Sequence, residues 1–260
     1  MSSVLTEKPA EEKATHTRIL RFQLGPEESR AYWERVEDMH AQRSSLEAFN
    51  GQWFGAISEN RTKVVMGEMR ARYDAFPAAL GVLSRWRGMT PATRTLICHW
   101  HLQLADPLYR AFTGEYLEER RESFKPEVER EDVIRWVALQ EPERWGRRTL
   151  VAFGSKLLTA AYSVGLVETK RDPRPLLYPR VTDEALAYMM HLLQEVDYQG
   201  SILENPYLRS VGLSGKFLED RLRTLPGAEL HRMGDLVEFK TAAPDLKSWS
   251  TTSLGLSEAR

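Results

Sequence analysis

Apolar residues recur at helical spacing over most of the chain, and helix start and stop signals punctuate them. Leu24-Gly25-Pro26-Glu27-Glu28 sets a proline in the first turn of a helix, with acids where the macrodipole favours them. The spacing carries that helix to about Leu46, and a second apolar-periodic stretch begins near Gln52. In a third, Arg61 to Phe76, Val65, Met69, Arg72 and Phe76 share one face, with Val64 and Tyr73 beside it. Thr90-Pro91 opens a long helix to Phe112, in which Pro107 imposes a kink or break. Between Glu115 and Asp132, eight acids face four bases around Pro126, the pattern of a solvated helix end and linker.

Beyond Val133 the pattern becomes helix, helix, hairpin. Leu150, Leu157, Ala161 and Val164 line one face of a helix that Gly165 stops. The following arm, Leu166 to Pro179, has two short β-prone runs around the Asp-Pro and Arg-Pro steps of residues 172–175. The order then repeats. Thr182-Asp183 caps a helix to about Asp197, and a shorter one runs from Ser201 to Arg209. Ser214 then stands as N-cap to a helix with Leu218, Leu222 and Leu225 on one face. Ala228 to Thr241 reads as a hairpin around Gly234-Asp235. The predicted fold is mainly α, a helical bundle with helix-turn-helix and winged-helix units and short β-hairpin wings.

Its 260 residues, 42% of them apolar, suffice for a sizeable core. Residues 1–17 and 250–260 read as disordered, polar ends. A helical domain with a helix-turn-helix-like unit spans 18–125, and a tandem winged-helix-like domain spans 126–249. No run approaches the roughly 18 apolar residues that span a bilayer, and no signal-peptide core opens the chain, so a cytoplasmic protein without a membrane partner is expected. The single cysteine, Cys98, excludes an internal disulfide framework and a cysteine-based zinc site.

With a net charge of −1 and a pI near 6.6, affinity for nucleic acid must come from local patches. Arg144 to Arg180 holds eight Lys/Arg against Glu168 and Asp172, a local +6. Arg61 to Arg94 holds seven against Glu68 and Asp74, a local +5. The candidate phosphate contacts are Arg61, Lys63 and Arg70 in the early helix, and Arg144, Arg147, Arg148, Lys156, Lys170, Arg171 and Arg174 in the first hairpin unit. Lys216 and Arg223 are those of the second unit. The plainer alternative is that these charges solvate helices, Arg70 and Arg72 pairing with Glu68 and Asp74. On the last helix, Glu219 and Asp220 would repel phosphates, which suits weak binding or a protein contact.

Enzyme signatures are scarce. His99 and His101 stand two apart on a helix, about 200° around it, and cannot share a metal ion. The glycines form no phosphate loop, and Gly212-Leu213-Ser214-Gly215 lacks the nucleophile-elbow spacing. No catalytic residue, metal or cofactor is expected.

SENRTKVVMGEMRARYDAF, LICHWHLQLADPLYRAFTGEYLEER, RTLVAFGSKLLTAAYSVGLVE and GDLVEFKTAAPDLKSW resemble, in that order, segments of the BrxA family of BREX bacteriophage-exclusion systems, over about residues 45 to 250. The resemblance implies an all-helical protein with helix-turn-helix units that binds DNA without catalytic activity of its own. The segment of about 40 residues before it lies outside the family pattern. The expectation is a non-enzymatic accessory protein that grips double-stranded DNA through its phosphates, with other BREX subunits as further partners. A protein-interaction scaffold and an RNA-binding helical factor are the alternatives.

Overall fold

In the computed structural model the chain is described over residues 8–35, 44–233 and 236–256. Helix accounts for 58% and strand for 7%, so the fold is mainly α with short hairpins. At its centre stands α6 (Pro91–Ala105), capped by the Thr90 hydroxyl, which accepts from the Thr93 N–H at 3.2 Å. Every residue from Leu96 to Ala105 is buried, as expected of a helix enclosed on all sides. Around it pack α2 (Pro26–Trp33), α4 (Glu59–Tyr73), α7 (Pro107–Ala111), α10 (Arg147–Val164) and α11 (Asp183–Glu195).

Several helix boundaries differ from expectation. The first long helix ends at Trp33, and Leu46 belongs to α3 (Ser45–Asn50), which Ser44 and Glu47 close with a reciprocal capping box. Residues 36–43, the middle of the expected helix, lie outside the described residues. The stretch from Gln52 is a turn, Trp53 and Phe54 packing on the core. Pro107 does break the long helix: α6 ends at Ala105, and the Asp106 carboxylate caps α7 through the Tyr109 N–H at 3.0 Å.

Residues 115–132 are no linker. A π turn (Phe112–Tyr116) joins α7 to α8 (Leu117–Arg121), and β1 (Glu127–Val128) follows. Then come α9 (Arg130–Gln140), α10, and an arm whose β2 (Arg174–Pro175) pairs antiparallel with β1. Within the arm, the Glu168 N–H donates to the Pro175 carbonyl and the Leu177 N–H to the Leu166 carbonyl, both at 3.0 Å. Helix, strand, helix, helix, hairpin is the order of a winged helix. In this chain that order begins at Pro107.

A second unit follows as α11, α12 (Pro206–Arg209), α13 (Gly215–Thr224) and the antiparallel pair β3 (Ala228–Met233) and β4 (Leu236–Thr241), with no strand after its first helix among the described residues. Its turn residues, Gly234 and Asp235, lie outside the described residues. Ser214 sits at the N-cap of α13, but its side chain makes no cap bond.

The described parts of both ends expected to be disordered, residues 8–17 and 250–256, are built into the fold. Ala10 bridges Asp197 in parallel, and Glu11 is buried, accepting from the Gln199 N–H at 3.1 Å and from the Tyr207 hydroxyl beside Arg110. Helix α1 (Arg18–Arg21) follows, with Ile19 in the core. At the other end, α14 (Leu246–Leu254) packs on α11 and on α5 (Pro77–Arg85), and Trp249 meets Trp86 edge-on at 5.8 Å.

Candidate nucleic-acid interface

Helix α10 packs on α9 and α6 through Phe153, Gly154, Leu157, Leu158, Ala160, Ala161 and Val164. A Cβ at Gly154 would stand 2.8 Å from Ile134, so glycine is what lets α9 approach this closely. At 100° per residue, the remaining arc carries Arg148, Val151, Ala152, Ser155, Lys156, Thr159, Tyr162 and Ser163. Thr159, Tyr162 and Ser163 are exposed, and α10 holds no acid at all. The hydroxyls of Ser155, Thr159 and Ser163 donate to the helix carbonyls of Val151, Ser155 and Thr159. The outer surface therefore carries small hydroxyl side chains among Arg148, Lys156, Val151, Ala152 and the Tyr162 ring.

The wing is braced at its base and basic at its tip. Arg121 lies over the Tyr178 ring at 4.1 Å and donates to the Leu177 carbonyl at 2.6 Å. Tyr178 in turn donates to Glu118, also at 2.6 Å. At the turn, the Asp172 carboxylate accepts from the Arg174 guanidinium at 2.6 Å and from the Arg130 N–H at 3.1 Å. Burial works to raise this carboxyl, but those hydrogen bonds outweigh it and hold it below the usual carboxylate range.

The expected cations divide sharply. Among the described residues, Arg147, Arg148, Lys156 and Arg171 enter no ion pair, and Lys170 rests on the Tyr162 ring at 4.9 Å. Arg174 is neutralised by Asp172 and largely covered, so it is removed from the set of phosphate contacts. Arg144 is shared between Glu141 at 2.6 Å and the Thr15 carbonyl at 2.8 Å. Arg61 donates to the Arg21 carbonyl at 2.9 Å and Lys63 pairs with Glu59 at 2.6 Å, both at the start of α4. Arg70 is exposed further along α4. Lys216 is exposed, whereas Arg223 is held by Asp220 at 2.8 Å and Glu219 at 3.3 Å. The expected pairing of Arg72 does not form. That guanidinium is buried on backbone carbonyls, Glu68 faces Arg21 at 3.8 Å, and Asp74 takes the Tyr32 hydroxyl. Sequence reasoning missed Ser155, Thr159, Tyr162 and Ser163, whose signal was an acid-free helix with hydroxyls at helical spacing.

His99 and His101 are both fully buried. They have separate partners. The Ser210 hydroxyl donates to the Tyr207 carbonyl, so His99 Nε2 donates to Ser210 Oγ at 2.9 Å and Nδ1 accepts from the Tyr109 hydroxyl. His101 Nδ1 donates to the Arg72 carbonyl at 3.1 Å and Nε2 accepts from Tyr188. Burial holds the two rings neutral, with pKa values lowered to about 3 and about 4. Among the described residues no group of His, Cys, Asp or Glu is placed to hold a metal ion, and no helix is long and apolar enough to cross a membrane.

The class defined by this architecture is a mainly α protein with two small antiparallel two-stranded sheets among its described residues. No family model and no curated protein matches the chain. It is similar to the crystal structure of an uncharacterized protein from Magnetospirillum magneticum, with a TM-score of 0.57 at 13% identity, over 76% of this chain and 98% of that one. That likeness concerns the fold alone.

Proposed function

We propose that the protein is a non-enzymatic, duplex-DNA-binding accessory protein of a BREX-type phage-defence system, with α10 as its groove-entering helix and the residue 166–177 arm as its wing. The observation that supports this reading is the outer face of α10, free of acids and flanked by Arg147 and Arg148 at one end and Lys170 and Arg171 at the other. A B-DNA major groove about 12 Å wide admits one helix, and small hydroxylic side chains allow close approach. Phosphate contacts from the flanking cations supply most of the affinity, through counterion release, with little base readout. The defence-system assignment rests on the resemblance of residues 45 to 250 to BrxA proteins.

The second unit favours a protein partner. Phe217 on α13 is 61% exposed, beside Glu219 and Asp220, a surface suited to another protein rather than to phosphate. Other BREX subunits are the partners proposed for it.

Fluorescence anisotropy with duplex DNA, single-stranded DNA and double-stranded RNA at several salt concentrations tests the reading. Duplex DNA is expected to bind tightest, because the A-form major groove is too narrow and deep for a helix. Lys170→Ala with Arg171→Ala should lower the log K against log salt slope by about 0.9 for each phosphate no longer neutralised. An unchanged slope, or a preference for RNA, would overturn it.

A further inference from the structure

A second basic surface lies at the start of α4. An open groove of about 710 Å³ is lined by Arg18, Arg21, Asn60, Arg61, Lys63 and Glu68. Its charges are only partly neutralised. Lys63 pairs with Glu59 at 2.6 Å and Arg21 faces Glu68 at 3.8 Å, whereas Arg18 and Arg61 enter no ion pair among the described residues. The nearby Glu12 carboxylate turns back on the Lys13 and Ala14 N–H groups at 2.9 and 2.8 Å.

This groove is tied to α10. Helix α1 packs against α10 and carries Arg18 and Arg21, with Ile19 between them in the core. Just before α10, Arg144 donates to the Thr15 carbonyl at 2.8 Å, two residues ahead of the α1 N-cap. At the far end of α1, Arg61 donates to the Arg21 carbonyl at 2.9 Å. Cations therefore run from Arg147 and Arg148 through Arg144, Arg18 and Arg21 to Arg61, with Glu141 beside Arg144 and Glu68 beside Arg21.

We infer that a duplex leaving the N-terminal end of α10 continues over α1, its phosphates held in the Arg18–Arg21–Arg61 groove, so that the footprint extends beyond one winged helix. The inference rests on the DNA-binding reading above. An open trough joined to α10 through α1 suits a phosphate backbone passing through, where a small anion would be left largely in solvent.

The test compares duplexes of about one and about three helical turns, roughly 10 and 30 bp. Two variants are used: the Arg18→Gln, Arg21→Gln double substitution, and Asn60→Asp, which adds a negative charge at the exposed rim where an acid suits the first turn of α4. On the longer duplex both should weaken binding, and the double substitution should lower the salt slope by about 0.9 for each phosphate it leaves without a cation. The shorter duplex, seated on α10, should bind each variant as it binds the parent. Equal losses on both lengths, or none on either, overturn the inference while leaving the α10 reading standing. A parent chain that binds neither duplex overturns both. Should the double substitution unfold the chain, Asn60→Asp alone decides.

Discussion

The buried guanidinium of Arg72 donates through Nη1 to the Leu24 carbonyl at 2.7 Å, clamping the chain that enters α2 against α4. Its Nη2 reaches the Gln23 and Phe22 carbonyls, and the group lies over the Phe22 ring at 5.2 Å. Arg72→Met keeps much of the volume but strips three carbonyls, two of them in buried hydrogen bonds, of their donor. The expected loss is on the order of 3 kcal/mol in urea unfolding, partly recovered by Arg72→Lys. A loss under about 0.5 kcal/mol, the scatter of surface substitutions, would show that water replaces the clamp.

Thr159 sits near the middle of the exposed α10 arc. Thr159→Glu should leave the melting temperature within a few degrees of the parent. It should weaken duplex binding at least about tenfold, or about 1.4 kcal/mol, by setting a carboxylate against the phosphates. Anisotropy and thermal melting on the same preparation check both halves. Unchanged affinity would move the binding face away from α10.

Gly114, in the π turn, faces the start of α12, and a Cβ there would stand 2.5 Å from Pro206 Cβ and 2.6 Å from its carbonyl oxygen. The obstacle is partly backbone, which cannot swing aside. Gly114→Ala should therefore destabilise the protein by about 1–3 kcal/mol, the usual cost of overpacking, although alanine is the better helix former. A variant as stable as the parent, measured by chemical denaturation, would show that the two units can part at no cost.

Acid should unfold the protein through its core histidines. Unfolded histidines protonate near 6.5, whereas His99 and His101 stay neutral in the fold to about 3 and about 4. The unfolded chain then binds more protons, so stability falls as pH drops below 6.5, by up to about 1.4 kcal/mol per pH unit for each ring. Buried Asp106 works the other way. Its carboxyl is raised above the usual range, chiefly by burial, so the folded form takes up a proton before the unfolded chain does. Burial also lowers His191, which adds to the rings, and raises Glu118 and Glu195, which add to the carboxyl; the large shifts of His99 and His101 decide the sign. The melting temperature should hold from pH 8 to about 7 and fall from 6.5 to 4.5. A rise over that acid interval would contradict these assignments.

Features decided within a turn of chain were legible in the sequence. Pro107 breaks the central helix because its ring removes a donor and crowds the preceding turn. Gly165 ends α10 in the left-handed region, at φ 85°. Thr90 and Thr182 cap α6 and α11, since a cap needs only the N–H three residues on. The succession of helix, helix and hairpin, given twice, follows from periodicity and these punctuation marks.

Features that depend on a partner distant in sequence were not. Two-residue β1 has no period of its own and lies among acids; it is a strand because Arg174 and Pro175 arrive beside it. The polar N-terminal segment carries no core pattern, yet Glu11 is buried because Tyr207 and Arg110, far along the chain, satisfy its carboxylate. Composition counted Arg72, Arg174 and Arg147 alike as positive charge. Tertiary structure buried the first on backbone carbonyls, neutralised the second with Asp172 and left the third in solvent. Charge is a property of the residue, but its availability to a phosphate depends on desolvation and pairing in space, and those are settled only when the chain has packed.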